Sequence, residues 1–199
     1  VKAFQMMDTL EAIKASGTGC LCAADYASME LRVIAALSNC AGMIDAFSRG
    51  EDIHCYVTRQ VFPDKIPTGV SDKDIKRNYV EWRYRAKWTN WTIIYMGGAS
   101  TLHSMYGLGM SEAEDIIKIY FQRFPEIQSY QQDTIDFAKR NGYVESPFGR
   151  RLYTPDINDR DSKRAADAAR TAVNAPIQGT ASDVLLCAFV VIDDNMRKD

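Results

Sequence analysis

From Arg83 to Tyr95 the chain sets Arg83, Lys87, Trp91 and Tyr95 at four-residue intervals, and no other stretch restricts its folding so tightly. If the stretch is helical, these side chains stack one above another and drift slowly around one face. Twelve residues of helix rise roughly 18 Å, about the span of a nucleoside triphosphate from terminal phosphate to base. Two cations followed by two flat rings therefore suit phosphates at one end and a sugar and base at the other. The plainer alternative is a helix whose aromatics are core and whose cations form the rim. The ladder alone does not separate the two.

The 199 residues are 46% hydrophobic and 25% charged, enough for one sizeable core or two small ones. No apolar run reads as a membrane span, and the longest, Val184 to Ile192, is expected to be a buried helix. The chain starts at Val1 without a charged-then-apolar leader, which speaks against secretion. Cys20, Cys22, Cys40, Cys55 and Cys187 are scattered, with no CxxC pair and no clustering with His54 or His103. That pattern argues against a zinc site or a disulfide framework and fits a reduced intracellular compartment. A net charge of −2 argues against coating nucleic acid by charge alone. Basic residues are nevertheless concentrated in two runs, Lys73 to Lys87 and Arg150 to Arg170. Solvated helix faces explain such runs as readily as phosphate tracks do.

Along the chain, Leu21 to Asp25 is an apolar run ending in an acid, expected to be a buried strand. Helical spacing follows over Ser28 to Ser38, and another helix is expected over Ile53 to Val61. Ser71 opens a helix leading toward the ladder, which Gly97-Gly98 should break. Ser111 and Glu114 have capping-box spacing, Pro125 starts a further helix, and Gly142 supplies its left-handed cap. Tyr143 to Tyr153 reads as a hairpin, and helices are expected over 162–173 and 180–196, separated near Pro176. The sum is a mostly helical α+β layout.

Four segments carry chemistry. Asp25, at a strand end before a helix, is well placed to present a carboxylate to a divalent metal, and Glu30 could line the same pocket or pair with a nearby base. An acid capping a helix and a surface glutamate explain the same residues. His54 could donate to a phosphate, although a lone histidine also serves in cores. Arg170, Asn174 and Gln178 repeat the four-residue interval, and side chains of this type can check acceptors in a minor groove without reading sequence. Helix capping near Pro176 is the alternative for Asn174.

Taken together these segments resemble a family A DNA polymerase, the DNA polymerase I type also found in phages. Asp25-Tyr-Ala-Ser-Met-Glu-Leu-Arg-Val-Ile-Ala35 is similar to motif A, Asp52-Ile-His54 to the element downstream, and Arg83 to Tyr95 to motif B on the fingers helix. Tyr143 to Asp156, followed by Arg170 to Asp183, resembles the return to the palm. The blocks occur in family order over nearly the whole chain.

The resemblance implies an incomplete polymerase domain: a palm segment at 1–50, mostly helical fingers at 51–142, and a return to an antiparallel palm sheet at 143–199. Asp25 would be a catalytic metal ligand assisted by the Tyr26 carbonyl, with two Mg²⁺ ions clamping an in-line displacement. Glu30 would exclude a ribose 2′-hydroxyl. His54, Arg83 and Lys87 would bind the triphosphate, with Lys87 also donating a proton to pyrophosphate. Trp91 would lie beside the sugar and base, and Tyr95 at the nascent pair. Arg170, Asn174 and Gln178 would contact template–primer DNA. Deoxynucleoside triphosphates and DNA are the implied partners, a processivity factor is an open one, and the cytoplasm of a bacterial or phage-infected cell is the implied location.

The chain also departs from the pattern. Trp91 stands where Phe or Tyr is usual, so altered sugar selectivity is expected; equal incorporation of dideoxy and deoxy substrates would refute strong discrimination. Thr92 and Met96 replace usual glycines, and Ser28 a usual Gln. These departures point toward a phage version. Motif C, which brings the second carboxylate, is missing, and Asp193 and Asp194 are not in its context. The chain is accordingly expected to be an internal piece, unable to extend a primer by itself. Two rivals are a single-subunit RNA polymerase, which Glu30 opposes, and a non-catalytic nucleotide-binding or nucleic-acid-binding module, which would not need Asp25.

Overall fold

The computed structural model describes residues 25–197. The expected strand before Asp25 lies outside the described residues. Helices α1 (Met29–Leu37), α2 (Ala41–Ser48), α3 (Ile53–Val61), α4 (Asp72–Asn78) and α5 (Val80–Ile94) come first. They are followed by α6 (Ala99–Tyr106), α7 (Met110–Arg123) and α8 (Pro125–Asn141). Then come strands β1 (Tyr143–Glu145) and β2 (Arg151–Tyr153), a 3₁₀ turn and the long α9 (Ser162–Met196). The strands pair antiparallel with Val144 opposite Leu152, which gives the expected hairpin. The fold is mostly helical α+β, as expected.

The main core draws Ile34 from α1, Val57 and Val61 from α3, Ile93 from α5, Tyr120 from α7, Ile127 from α8 and Ile177 from α9. All three stretches, 1–50, 51–142 and 143–199, therefore contribute to one interior. A smaller cluster of Ala138, Val144, Ile157 and Ala172 seats the hairpin under α9. Burying such side chains is worth about 1.5–3 kcal/mol each before entropy is counted.

Local signals explain several boundaries. Ser71 caps α4 by accepting from the Asp74 N–H, and Gly142 at φ 75° ends α8 with its N–H on the Ala138 carbonyl. Ser111, by contrast, does not cap α7: the helix starts at Met110 after Gly109, which places the hydroxyl inside the first turn. The ladder helix ends at Ile94 with Tyr95 as its C-cap, before the glycine pair. Met96, at φ 57°, takes the left-handed position that turns the chain. Gly97 matters for space, because a Cβ there would sit 2.8 Å from Thr92 Cγ2.

Two expectations about the C-terminal stretch are corrected. Residues 162–196 form a single helix with Pro176 inside it. An internal proline forfeits a hydrogen bond at a cost of about 3 kcal/mol. Here Ala172, Val173, Pro176 and Ile177 form one buried stripe that offsets the loss, and Thr180 donates to the Pro176 carbonyl at 2.6 Å. The second correction concerns Val184 to Ile192, which is not buried: Leu186, Phe189, Val190, Val191 and Ile192 are all more than half exposed. The helix α9 is long and apolar enough to cross a membrane by length and composition alone.

Candidate active site

A cleft of about 700 Å³ opens between the α1 end of the chain, the ladder helix and α9. Its walls include Asp25, Tyr26 and Glu30, then His54, then Lys87, Trp91 and Tyr95, with Ser182 and Leu185 from α9. One carboxylate at the start of the described chain and the ladder therefore face the same space. Asp25 and Tyr26 are exposed in the segment leading to α1. Trp91 and Tyr95 stack with centroids 5.7 Å apart and planes 11° from parallel.

Glu30 and Tyr95 lock together across the cleft, the phenol donating to the Glu30 carboxylate at 2.8 Å. Burial and that carboxylate push the Tyr95 phenol up to about 12, so it remains a donor at neutral pH. His54, on the first turn of α3, is buried. Burial lowers its pKa to about 4, with Asp52 opposing the shift and the Arg83 and Lys87 cations adding to it. The imidazole is therefore neutral at pH 7.

Arg83 is the ladder residue that does not line this cleft. It pairs with Asp52 at 2.8 Å, and Lys76 reaches the same carboxylate oxygen at 3.0 Å. The other Asp52 oxygen caps α3 by accepting from the Cys55 N–H at 3.0 Å. Burial raises the Asp52 pKa, but hydrogen bonds from Arg83, Lys76 and Cys55 outweigh it and hold the carboxyl well below the usual range.

Arg170, Asn174 and Gln178 share a second groove of about 650 Å³ with Ser146, Arg150 and Gly179. Arg170 pairs with Asp167 in its own helix, and Arg150 with the buried Asp183. The Asn174 Oδ1 is buried with no hydrogen-bond partner among the described residues. The same helix walls both spaces, with Gln178 and Gly179 in this groove and Ser182 and Leu185, about a turn further on, in the cleft.

Ser182 and Leu185 in the cleft, and Asn90 and Tyr120 behind His54, were not legible as site residues. Asn90 carried one signal, an amide on the same side of the ladder helix as the buried Ala86 and Ile93.

Asp25 and the Tyr26 carbonyl are hard oxygen donors, but no group of three His, Cys, Asp or Glu side chains among the described residues could hold an ion unaided. Mg²⁺ is commonly held by one or two carboxylates plus phosphate oxygens and water. The donors present thus fit an ion shared with a bound triphosphate.

The sequence matches the model of DNA polymerase family A over residues 5–199. DNA polymerase I of Streptococcus pneumoniae (strain ATCC BAA-255 / R6) is 38% identical over 173 residues, covering 87% of this chain and 19% of that protein. DNA polymerase I of Pseudomonas aeruginosa is 38% identical over 178 residues, 89% of this chain and 18% of that protein. Among solved structures, the POL domain of Pol1 from M. smegmatis in complex with DNA primer-template and dNTP superposes with a TM-score of 0.78 at 33% identity. That match covers 87% of this chain and 29% of the M. smegmatis chain. The chain thus spans about a fifth of the length of these curated relatives.

Proposed function

The chain belongs to DNA polymerase family A, and from that membership we propose that its cleft binds a deoxynucleoside triphosphate for template-directed addition to a primer 3′ end. The observation that carries this is the convergence of Asp25, Glu30, His54, Lys87, Trp91 and Tyr95 on one cleft. In this reading residues 1–50 are a palm segment, 51–142 the fingers and 143–199 the return to the palm.

Lys87 and His54 meet the phosphates, where positive charge and an N–H donor oppose the charge that builds on the leaving oxygens. Lys87 also stands as the proton source for pyrophosphate. The stacked Trp91 and Tyr95 rings receive the sugar and base, and the greater bulk of Trp91 tightens the 3′ side of the sugar. Glu30, fixed by the Tyr95 hydroxyl, closes the space that a 2′-hydroxyl requires, which favours a deoxy over a ribo substrate. Arg83 joins the phosphates only on leaving Asp52. Asp25 and the Tyr26 carbonyl would hold the first of two Mg²⁺ ions, which would supply Lewis-acid stabilisation of the charge that develops in phosphoryl transfer. Arg170, Asn174 and Gln178 face the template–primer.

Because Asp25 is the one metal-binding carboxylate of this reading, binding is the informative test, and the 199-residue chain alone is expected not to extend a primer. Titration of a deoxynucleoside triphosphate should show tighter binding with Mg²⁺. Asp25→Ala should abolish that gain, and Lys87→Ala should weaken binding tenfold or more with or without the metal. An Mg²⁺ gain that survives Asp25→Ala overturns the assignment.

A further inference from the structure

Two buried side chains stand behind His54 in a line leading away from the cleft. The Tyr120 hydroxyl donates to the Asn90 Oδ1 at 3.0 Å, and the Asn90 Nδ2 lies 3.1 Å from the His54 Nδ1. Tyr120 and Asn90 are fully buried. Burial raises the Tyr120 phenol far above its ordinary value. Its O–H therefore has to be donated within the protein, and the Asn90 carbonyl receives it. With Asn90 Oδ1 so committed, the amide turns its NH₂ toward His54, and the facing Nδ1 has to accept. A neutral imidazole that accepts at Nδ1 carries its proton on Nε2. His54 itself lines the cleft.

We propose that Tyr120 and Asn90 are positioning residues that fix His54 as the Nε2–H tautomer, so that the cleft receives a hydrogen-bond donor rather than a lone pair. A lone pair at that place would repel phosphate oxygens, and the opposite tautomer would present one. The arrangement lets a neutral histidine recognise phosphate through dipole and geometry while Lys87 supplies charge. The consequence for binding rests on the cleft being a triphosphate site; the tautomer does not.

The chain has two histidines, which makes the test direct. His103 is an internal reference of opposite kind, since its Nδ1 lies 2.7 Å from the Leu108 carbonyl and has to donate. Imidazole ¹⁵N shifts of the ligand-free protein at pH 8 are expected to show one Nε2–H ring, His54, and one Nδ1–H ring, His103. Tyr120→Phe releases the Asn90 amide, so the His54 signals should move toward a tautomer mixture while those of His103 stay in place. An Nδ1–H His54 in the unaltered protein, or a His54 spectrum unchanged by Tyr120→Phe, overturns the proposal. The unaltered protein decides even if the variant folds poorly.

Affinity for dATP with Mg²⁺ should fall about two- to tenfold in Tyr120→Phe, the range for one hydrogen bond. His54→Ala should bind at least as weakly. If His54→Ala binds dATP as well as the unaltered protein, the triphosphate reading of this wall fails while the tautomer result stands.

Discussion

Asp52 does three jobs with two oxygens: it caps α3, holds Arg83 and holds Lys76. Its pKa is depressed in the folded chain, so the stabilisation it gives is complete above the unfolded value of about 3.9. That contribution is lost as pH falls from there through the folded value. Asp52→Asn should therefore destabilise the protein by about 1–3 kcal/mol at pH 7, the scale of a lost cap and a part-buried charged hydrogen bond. Urea unfolding should show the gap between the two proteins narrowing steadily below pH 4, and a pH-independent gap would contradict this account. The same carboxylate holds Arg83, so the variant also frees a ladder cation, which under the proposed function becomes available to phosphate.

At the scale of elements, the end of the ladder helix carries strain that the usual glycines would avoid. Met96 holds φ 57°, a conformation that costs a side-chain-bearing residue about 1–2 kcal/mol. Met96→Gly should raise stability by up to about 1 kcal/mol, the gain being cut by the freedom glycine adds to the unfolded chain. Gly97→Ala should lower stability by about 1–3 kcal/mol through its clash with Thr92. Thermal melts of the two variants should shift in opposite directions. Much of this region was readable in advance: the ladder spacing, the Ser71 cap and the hairpin follow from short-range pattern, and Asp25, Glu30, His54, Lys87, Trp91 and Tyr95, singled out in the sequence, line one cleft. What escaped were features that depend on distant partners. Pro176 reads as a breaker until the buried stripe around it is seen, and Asn90 and Tyr120 lie thirty residues apart and meet only through packing. The exposure of Phe189 was hidden because an apolar run is silent about whether anything covers it.

At the scale of the molecule, the C-terminal half of α9 carries a run of exposed apolar side chains among the described residues, with Leu186, Phe189, Val190 and Val191 in contact with solvent. Contiguous apolar area of this kind drives association. The isolated chain should bind a hydrophobic dye and self-associate as its concentration rises. Phe189→Glu combined with Val190→Lys should suppress both without altering the helical signal, and dye binding unchanged in the double variant would place the sticky surface elsewhere. Further back along that helix, Gln178 and Gly179 line the groove of Arg170 and Asn174, while Ser182 and Leu185 line the cleft that holds Tyr95. One rod thus forms a wall common to two chambers. A push on that rod from the Arg170 side should therefore be felt beside Tyr95, so that what fills one chamber biases the shape of the other.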